Sequence, residues 1–292
     1  MLDMLMPFDK VLVFILGAMI GSFLNVCIFR LPKEQSIVKP RSFCPKCKKP
    51  IKWYDNIPVL SYILLKAKCR NCQEKISLRY PVIEILTSVI LGFLYINFSW
   101  SILFFEFSFF FCLLIVVSFI DIDYHAIPAY LCVFGIAVGL LFAFFQSGNF
   151  INIIIDFMKV FAGSRAQEIN NPPTAFLNST LGLLFGLGFT YLFKLFGDVL
   201  IGLYLSLRKK DSIEGEKESM GLGDVDFMGM VGVFMGFKAV IMVFFLAPFF
   251  AIIYSIIALI FKRSHLIPYL PYLSAATLVT FFWGDRILRL IF

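Results

Sequence analysis

Histidine is almost missing from this chain: only His125 and His265 occur in 292 residues. Neither lies in an H-E-x-x-H pattern or beside a nucleophile elbow, so histidine-based zinc hydrolysis and Ser-His-Asp acyl transfer have no residues to carry them. His125, next to two aspartates, reads as an interfacial polar residue rather than a metal ligand, since a metal site needs several converging donors. Charge is scarce too, at 15% of residues against 60% hydrophobic ones, a balance that excludes an ordinary soluble domain. The first apolar run is too long for a removable signal peptide and lacks its small-residue cleavage site. No internal repeat is present.

What the chain has in quantity is apolar length, with a mean hydropathy of +0.88. Membrane spans need about 20 mostly apolar residues each. Eight are expected, over residues 8–29, 81–98, 101–120, 127–146, 176–205, 225–237, 239–261 and 268–292. The fold class is therefore an all-α polytopic membrane protein in a lipid bilayer, and phenylalanine-rich runs such as Phe104 to Phe111 read as lipid-facing surface. Thirteen of the 26 basic residues lie from Arg30 to Arg79, against only Glu34, Asp55 and Glu74 there, a local balance of +10 in a chain of net +7. Basic loops are retained in the cytoplasm. That puts the N-terminus outside, and the loops at 121–127, 208–224 and 262–266 inside. The loop at 147–175, with Asp156, Lys159, Arg165 and Glu168, falls outside. Because topology accounts for the basic loop, no nucleic-acid partner is expected.

Residues 44–72 read CPKCKKPIKWYDNIPVLSYILLKAKCRNC. Two C-x-x-C pairs 21 residues apart have the form of zinc-ribbon knuckles, one residue beyond the usual spacing. Four thiolates, Cys44, Cys47, Cys69 and Cys72, close a tetrahedral site with no open position, so the zinc is structural. The other readings are two disulfides, which a reducing cytoplasmic loop disfavours, or four free thiols. Cys27, Cys112 and Cys132 lie in apolar segments and read as small buried hydrophobes.

Ionisable residues inside spans are costly and by default mark function. Glu84, Glu106, Asp198 and Asp285 each have a structural explanation: a position near a span end, or a neighbouring arginine for Asp285. Two pairs remain, Asp121 and Asp123 in SFIDIDYHAIP and Asp224 and Asp226 in GLGDVDFMG, each at a cytoplasmic span end. Residues two apart on a helix point about 200° apart, so one member of each pair can face the interior and the other the aqueous edge. Two carboxylates meeting in a low-dielectric site share a proton, which is aspartic-protease chemistry. Gly221 and Gly223 suit close approach of an extended peptide. The plain alternative for GLGD is a turn with an acidic helix N-cap.

These motifs, in this order, resemble the type IV prepilin peptidases, bifunctional leader peptidases and N-methyltransferases of pilus and type II secretion systems. The resemblance is carried by GSFLNVCIFRLP (21–32), the two C-x-x-C pairs around NIPVLSY (56–62), SLRYPVIEILT (77–87), FIDIDYHAIP (119–128), GLGD (221–224), IPYLPYL (267–273) and WGD (283–285). It implies that Asp121, seven residues before Pro128, and Asp224 of G-x-G-D are catalytic. It also implies cleavage of the short basic leader of prepilins or pseudopilins at the cytoplasmic face of the bacterial inner membrane, then methylation of the new amine with S-adenosylmethionine. The corresponding division is a first helix (1–30), a four-cysteine, methyltransferase-associated loop domain (31–80) and a membrane peptidase domain (81–292). The resemblance names no residue that holds S-adenosylmethionine and no oligomeric state.

Three positions depart from the family pattern. Asp226 stands where lysine is usual, and the expected consequence is an upward shift of the peptidase pH optimum. Ala67 replaces a glycine, which keeps open a peptidase without methylation. Leu270 replaces a glycine between two prolines. A reading of another class is a proton-coupled transporter relaying through the paired aspartates; it leaves the cysteine loop without a purpose. Asp123 is the alternative to Asp121 as the catalytic residue.

Overall fold

The computed structural model describes residues 2–125, 128–148, 175–208, 219–260 and 269–291. Among them the regular structure is helical, and β pairing is limited to two isolated bridges, Phe43 with Pro50 and Lys68 with Lys75. The helices are α1 (Leu2–Arg30), α2 (Leu60–Leu64), α3 (Arg79–Phe98), α4 (Ile102–Tyr124), α5 (Ala129–Gln146), α6 (Ala175–Arg208), α7 (Leu222–Ile260) and α8 (Leu270–Ile291). Contacts gather into two compact units, Met1–Ala126 and Ile127–Phe292.

Among the described residues six helices are long and apolar enough to cross a membrane, and Leu270–Gly284 of α8 forms a shorter apolar stretch. The longest, α7, is interrupted at Gly236, whose φ of 77° and ψ of 174° lie outside the helical region. Glycine has no Cβ to oppose that conformation, so α7 is two apolar helices joined end to end. The spans expected at 225–237 and 239–261 are these two segments, and counting them separately gives eight apolar helices among the described residues. The chain is a multi-pass membrane protein. Its exposed apolar residues, such as Leu192, Phe196, Val199 and Phe249 on α6 and α7, suit a lipid surrounding. The expected loop at 147–175 lies largely outside the described residues, as do Lys209, Lys210, the loop at 262–266 with His265, and the side chain of Asp285.

In the first unit α1 lies directly on α3. A Cβ on Gly17 would stand 2.6 Å from Ser88 Cα, and one on Gly21 2.7 Å from Glu84 Cα. This is small-residue packing of membrane helices, and it lets the Ser88 hydroxyl donate to the Phe14 carbonyl at 2.9 Å. Helix α4 packs against both α1 and α3, and this corrects the expectation for its phenylalanine run. Phe104, Phe110 and Phe111 are buried while Phe105 is exposed: an apolar helix wedged between two others turns only part of its circumference to lipid.

In the second unit α6 and α7 approach as closely. A Cβ on Gly182 would collide with the Gly232 carbonyl, and one on Gly186 would stand 2.5 Å from the Met228 carbonyl. Phe185, Phe189, Phe193 and Phe244 form a chain of ring contacts across the same pair. The core of this unit includes the fully buried Phe227, Met228, Met230 and Val231, immediately after Asp224 and Asp226.

Candidate functional site

The cysteine loop is built from two copies of one turn. In the first, Cys44 N–H donates to the Lys49 carbonyl at 3.0 Å, and Lys48 N–H donates back to the Cys44 carbonyl at 2.8 Å. In the second, Cys69 N–H donates to the Glu74 carbonyl at 2.8 Å, and Gln73 N–H to the Cys69 carbonyl at 3.0 Å. The residue after the second cysteine is left-handed in both copies, Lys48 at φ 55° and Gln73 at φ 59°. All four sulfur atoms lie within 4.8 Å of one another, with Cys44 Sγ 3.8 Å from Cys72 Sγ. A zinc–sulfur bond of about 2.3 Å in a tetrahedron requires a sulfur–sulfur edge of about 3.8 Å, so the donor set fits zinc. Backbone N–H groups of Cys72 and Asn71 pull the Cys69 thiol down to about 7. The knuckles are tied to the intervening segment by a bidentate pair, Arg70 Nε and Nη2 donating to Asp55 at 2.8 and 2.6 Å. Arg70 holds the Asp55 carboxyl below its ordinary range.

Beneath this loop lies a cavity of about 860 Å³, lined by the loop and by α1, α3 and the end of α4. Arg30, the last residue of α1, is buried and bends back over the loop, donating to the Ser36 and Pro40 carbonyls at 2.8 and 2.7 Å. Glu84 is buried on α3 and accepts the Val59 N–H at 2.7 Å. Val59 has φ 59°, an outlying conformation for a β-branched residue, and the bond to Glu84 helps to hold it.

The end of α4 separates the roles of its two aspartates. The helix runs one turn past the expected boundary, to Tyr124, so both are helical. Asp121 is buried, whereas Asp123 lies outward and pairs with Arg79 at the start of α3. His125 stops the helix: at φ 50° it donates its N–H to the Asp121 carbonyl at 2.9 Å. This left-handed cap satisfies an otherwise orphaned carbonyl, which gives His125 a structural task in keeping with its reading as a polar boundary residue.

In the second unit Asp224 occupies the first turn of α7, its N–H bonded to the Gly221 carbonyl at 3.2 Å, and its side chain is buried. Asp226 is half-buried. Neither Gly221 nor Gly223 takes a positive φ, and a Cβ on Gly221 would meet Asp224 Oδ2 at an ordinary contact of 3.7 Å. The chain leading into α7 is anchored at Ser219, which donates from its N–H and its hydroxyl to Asp198 at 2.7 and 2.8 Å. Asp198 in turn accepts from the buried Lys194 at 2.8 Å. Tyr269, just before α8, lies within electrostatic reach of Asp224. Leu270, the departure at the start of α8, is fully buried.

Comparison with known families settles what this arrangement belongs to. The bacterial peptidase A24 N-terminal domain matches residues 15–98, and the type IV leader peptidase family matches residues 108–256. The chain belongs to the type IV leader peptidase family. A prepilin leader peptidase/N-methyltransferase of Neisseria gonorrhoeae is 28% identical over 314 residues, covering 99% of this chain and 96% of that protein. A type 4 prepilin-like proteins leader peptide-processing enzyme of Escherichia coli is 30% identical over 91% of both chains. A shorter match, 42% identical over 138 residues, links 47% of this chain to 41% of a prepilin leader peptidase/N-methyltransferase of Myxococcus xanthus. No solved structure matches.

Membership in the leader peptidase family gives the departure at Ala67 a physical meaning. Ala67 has φ 58°, a conformation that costs a non-glycine residue about 1–2 kcal/mol, so glycine is the easier residue there. Sequence reasoning missed Arg79 as the partner of Asp123, and Arg30 and Tyr269 altogether. Arg30 and Tyr269 both sit inside motifs of the resemblance, but only packing reveals what they touch.

Proposed function

We propose that the chain is a membrane aspartic endopeptidase that removes the short basic leader of prepilins or pseudopilins and then N-methylates the exposed amine with S-adenosylmethionine. The observation that carries the peptidase reading is the burial of Asp121 and Asp224, each 5% exposed and each on the first or last turn of its helix, in a chain of this family. One carboxylate, ionised, takes a proton from water; the other, neutral, donates to the scissile carbonyl oxygen. The water oxygen bonds to the carbonyl carbon. The carbon–nitrogen bond then breaks, and the leaving nitrogen receives the proton. No covalent intermediate with the enzyme is required.

Asp121 is favoured over Asp123 because Asp123 is engaged with Arg79 at the membrane edge. The four cysteines would hold zinc as a structural clamp for the loop at 31–80, and the peptidase would occupy 81–292. The positive-inside distribution supports an inner-membrane enzyme with its N-terminus outside and its sites at the cytoplasmic face. The narrower alternative, cleavage without methylation, was motivated by Ala67. Ala67 itself adopts a left-handed backbone that glycine takes without strain, which favours the bifunctional reading. The test is cleavage of a prepilin by membranes carrying Asp121→Asn or Asp224→Asn, with mass spectrometry of the mature N-terminus of the wild-type product. Cleavage by either variant, or an unmethylated wild-type product in the presence of methyl donor, contradicts the corresponding half of the proposal.

A further inference from the structure

Helix α6 carries a buried charge that the packing of an apolar helix does not call for. Lys194 is 7% exposed, while Leu192, Phe193, Leu195 and Phe196 around it in sequence are exposed apolar side chains. Ionisable groups in membrane helices are costly and by default mark function. Its Nζ donates to Asp198 Oδ2 at 2.8 Å, yet replacing such a pair by apolar side chains of similar volume is often neutral or stabilising. The pair is better explained by what it holds. Asp198 Oδ1 accepts both the N–H and the hydroxyl of Ser219, at 2.7 and 2.8 Å, and the same hydroxyl stands 3.0 Å from the Lys194 carbonyl oxygen. The seat is close-fitting: a Cβ on Gly197 would lie 2.6 Å from Ser219 Cβ.

Ser219 opens the short stretch that leads to Asp224. Gly221, just before the first helical residue Leu222, has no side chain with which to cap the N–H groups of that turn. The Asp224 N–H bonds to the Gly221 carbonyl at 3.2 Å, so the turn bearing the carboxylate follows the segment that Ser219 fixes. Beyond Asp224, α7 is set against α6 again, where a Cβ on Gly186 would stand 2.5 Å from the Met228 carbonyl oxygen. Asp224 therefore lies between two attachments to one helix, a polar one at Ser219 and close backbone packing at Met228. Lys194 takes one oxygen of Asp198 and leaves the other turned to Ser219, which gives the buried cation a task in the first attachment.

We propose that Asp198 is a positioning residue for leader cleavage: oriented by Lys194, it fixes Ser219 and thereby the turn that presents Asp224. The inference rests on the reading of Asp224 as catalytic. A carboxyl acting on water or on a scissile carbonyl must come within hydrogen-bond reach of it, and a misplacement of about 1 Å costs on the order of a hundredfold in rate. Asp198 acts through Ser219 rather than on the reacting atoms. Its loss should therefore lower kcat and leave KM little changed.

The test is leader cleavage of one prepilin by the chain in lipid nanodiscs, with kcat and KM separated and melting followed by thermal shift. Asp198→Ala alone strands the buried Lys194 charge, which destabilises strongly, so the variant of choice is the double change Lys194→Met with Asp198→Ala. It is expected to melt near wild type and yet to lose kcat about ten- to a hundredfold, with KM within about twofold. Gly197→Ala reaches the same end by displacing Ser219 with both charges in place, and its kcat should fall to a similar extent. Gly202→Ala on the same helix, where a Cβ meets nothing within 4 Å, should cleave as wild type does. Wild-type kcat in the double variant would mean that Asp198 serves only to neutralise Lys194, and wild-type kcat in Gly197→Ala that the seat of Ser219 is immaterial. Either result, or a raised KM at unchanged kcat, overturns the proposal. Asp224→Asn is measured alongside: if it is inactive while both test variants cleave normally, the positioning role alone fails, whereas cleavage by Asp224→Asn overturns the reading on which that role rests.

Discussion

Replacing Gly21 by alanine tests the contact that sets the wall of the cavity. The new methyl carbon would stand 2.7 Å from Glu84 Cα, about 1 Å inside normal contact. Backbone cannot rotate away as a side-chain tip can, so α1 and α3 must separate. Overpacking of this kind costs about 1–3 kcal/mol, offset by about 1 kcal/mol from the better helix propensity of alanine. Gly188→Ala on α6 supplies the control, because a Cβ there meets nothing within 4 Å and collects the propensity gain alone. The difference between the two variants is then the overpacking cost itself. At about 2–4 °C per kcal/mol, Gly21→Ala should melt several degrees below Gly188→Ala in a detergent thermal-shift assay. A shift of about 1 Å also opens the 3.2 Å bond from Asn25 to the Tyr80 carbonyl. Equal melting temperatures in the two variants would refute the close approach of α1 and α3.

Three further outcomes are expected. Ala67→Gly removes a left-handed alanine and should raise the protease resistance of the cysteine loop, a gain of about 1 kcal/mol. His125 at φ 50° behaves as a cap: His125→Gly should keep leader cleavage and be slightly stabilised, whereas His125→Val should be destabilised by about 1–2 kcal/mol, both read by thermal shift. The purified chain should carry one zinc by elemental analysis. Cys69→Ser should lose it and become protease-sensitive within residues 42–76 with its helical circular dichroism retained, since structural zinc contributes about 10–16 kcal/mol to the folding of such loops.

The features legible in the sequence were those with a local signature. Apolar length announced the spans, and C-x-x-C spacing announced sulfur atoms that converge to within 4.8 Å. The i, i+2 spacing of Asp121 and Asp123 anticipated one buried and one outward carboxylate, as found. The helix junction expected at residue 238 falls at Gly236, a shift that hydropathy could not resolve because both sides are equally apolar. Contacts between distant residues left no such trace: Asp123 meets Arg79 across 44 residues, and Glu84 meets Val59 across 25. The phenylalanine run misled because composition gives a helix its apolar character but not the directions of its neighbours. Glu84 shows the same limit, since its position near a span start explained a carboxylate there but gave no hint of the cavity it lines.

The central proposal is that Asp121 and Asp224 are each required for leader cleavage. Its most direct measurement is the leader-cleavage rate of a prepilin by nanodisc-embedded wild type, Asp121→Asn, Asp224→Asn and Asp123→Asn. Cleavage should be abolished in the first two variants and retained in Asp123→Asn. Retained cleavage by Asp121→Asn, with loss in Asp123→Asn, would contradict the assignment.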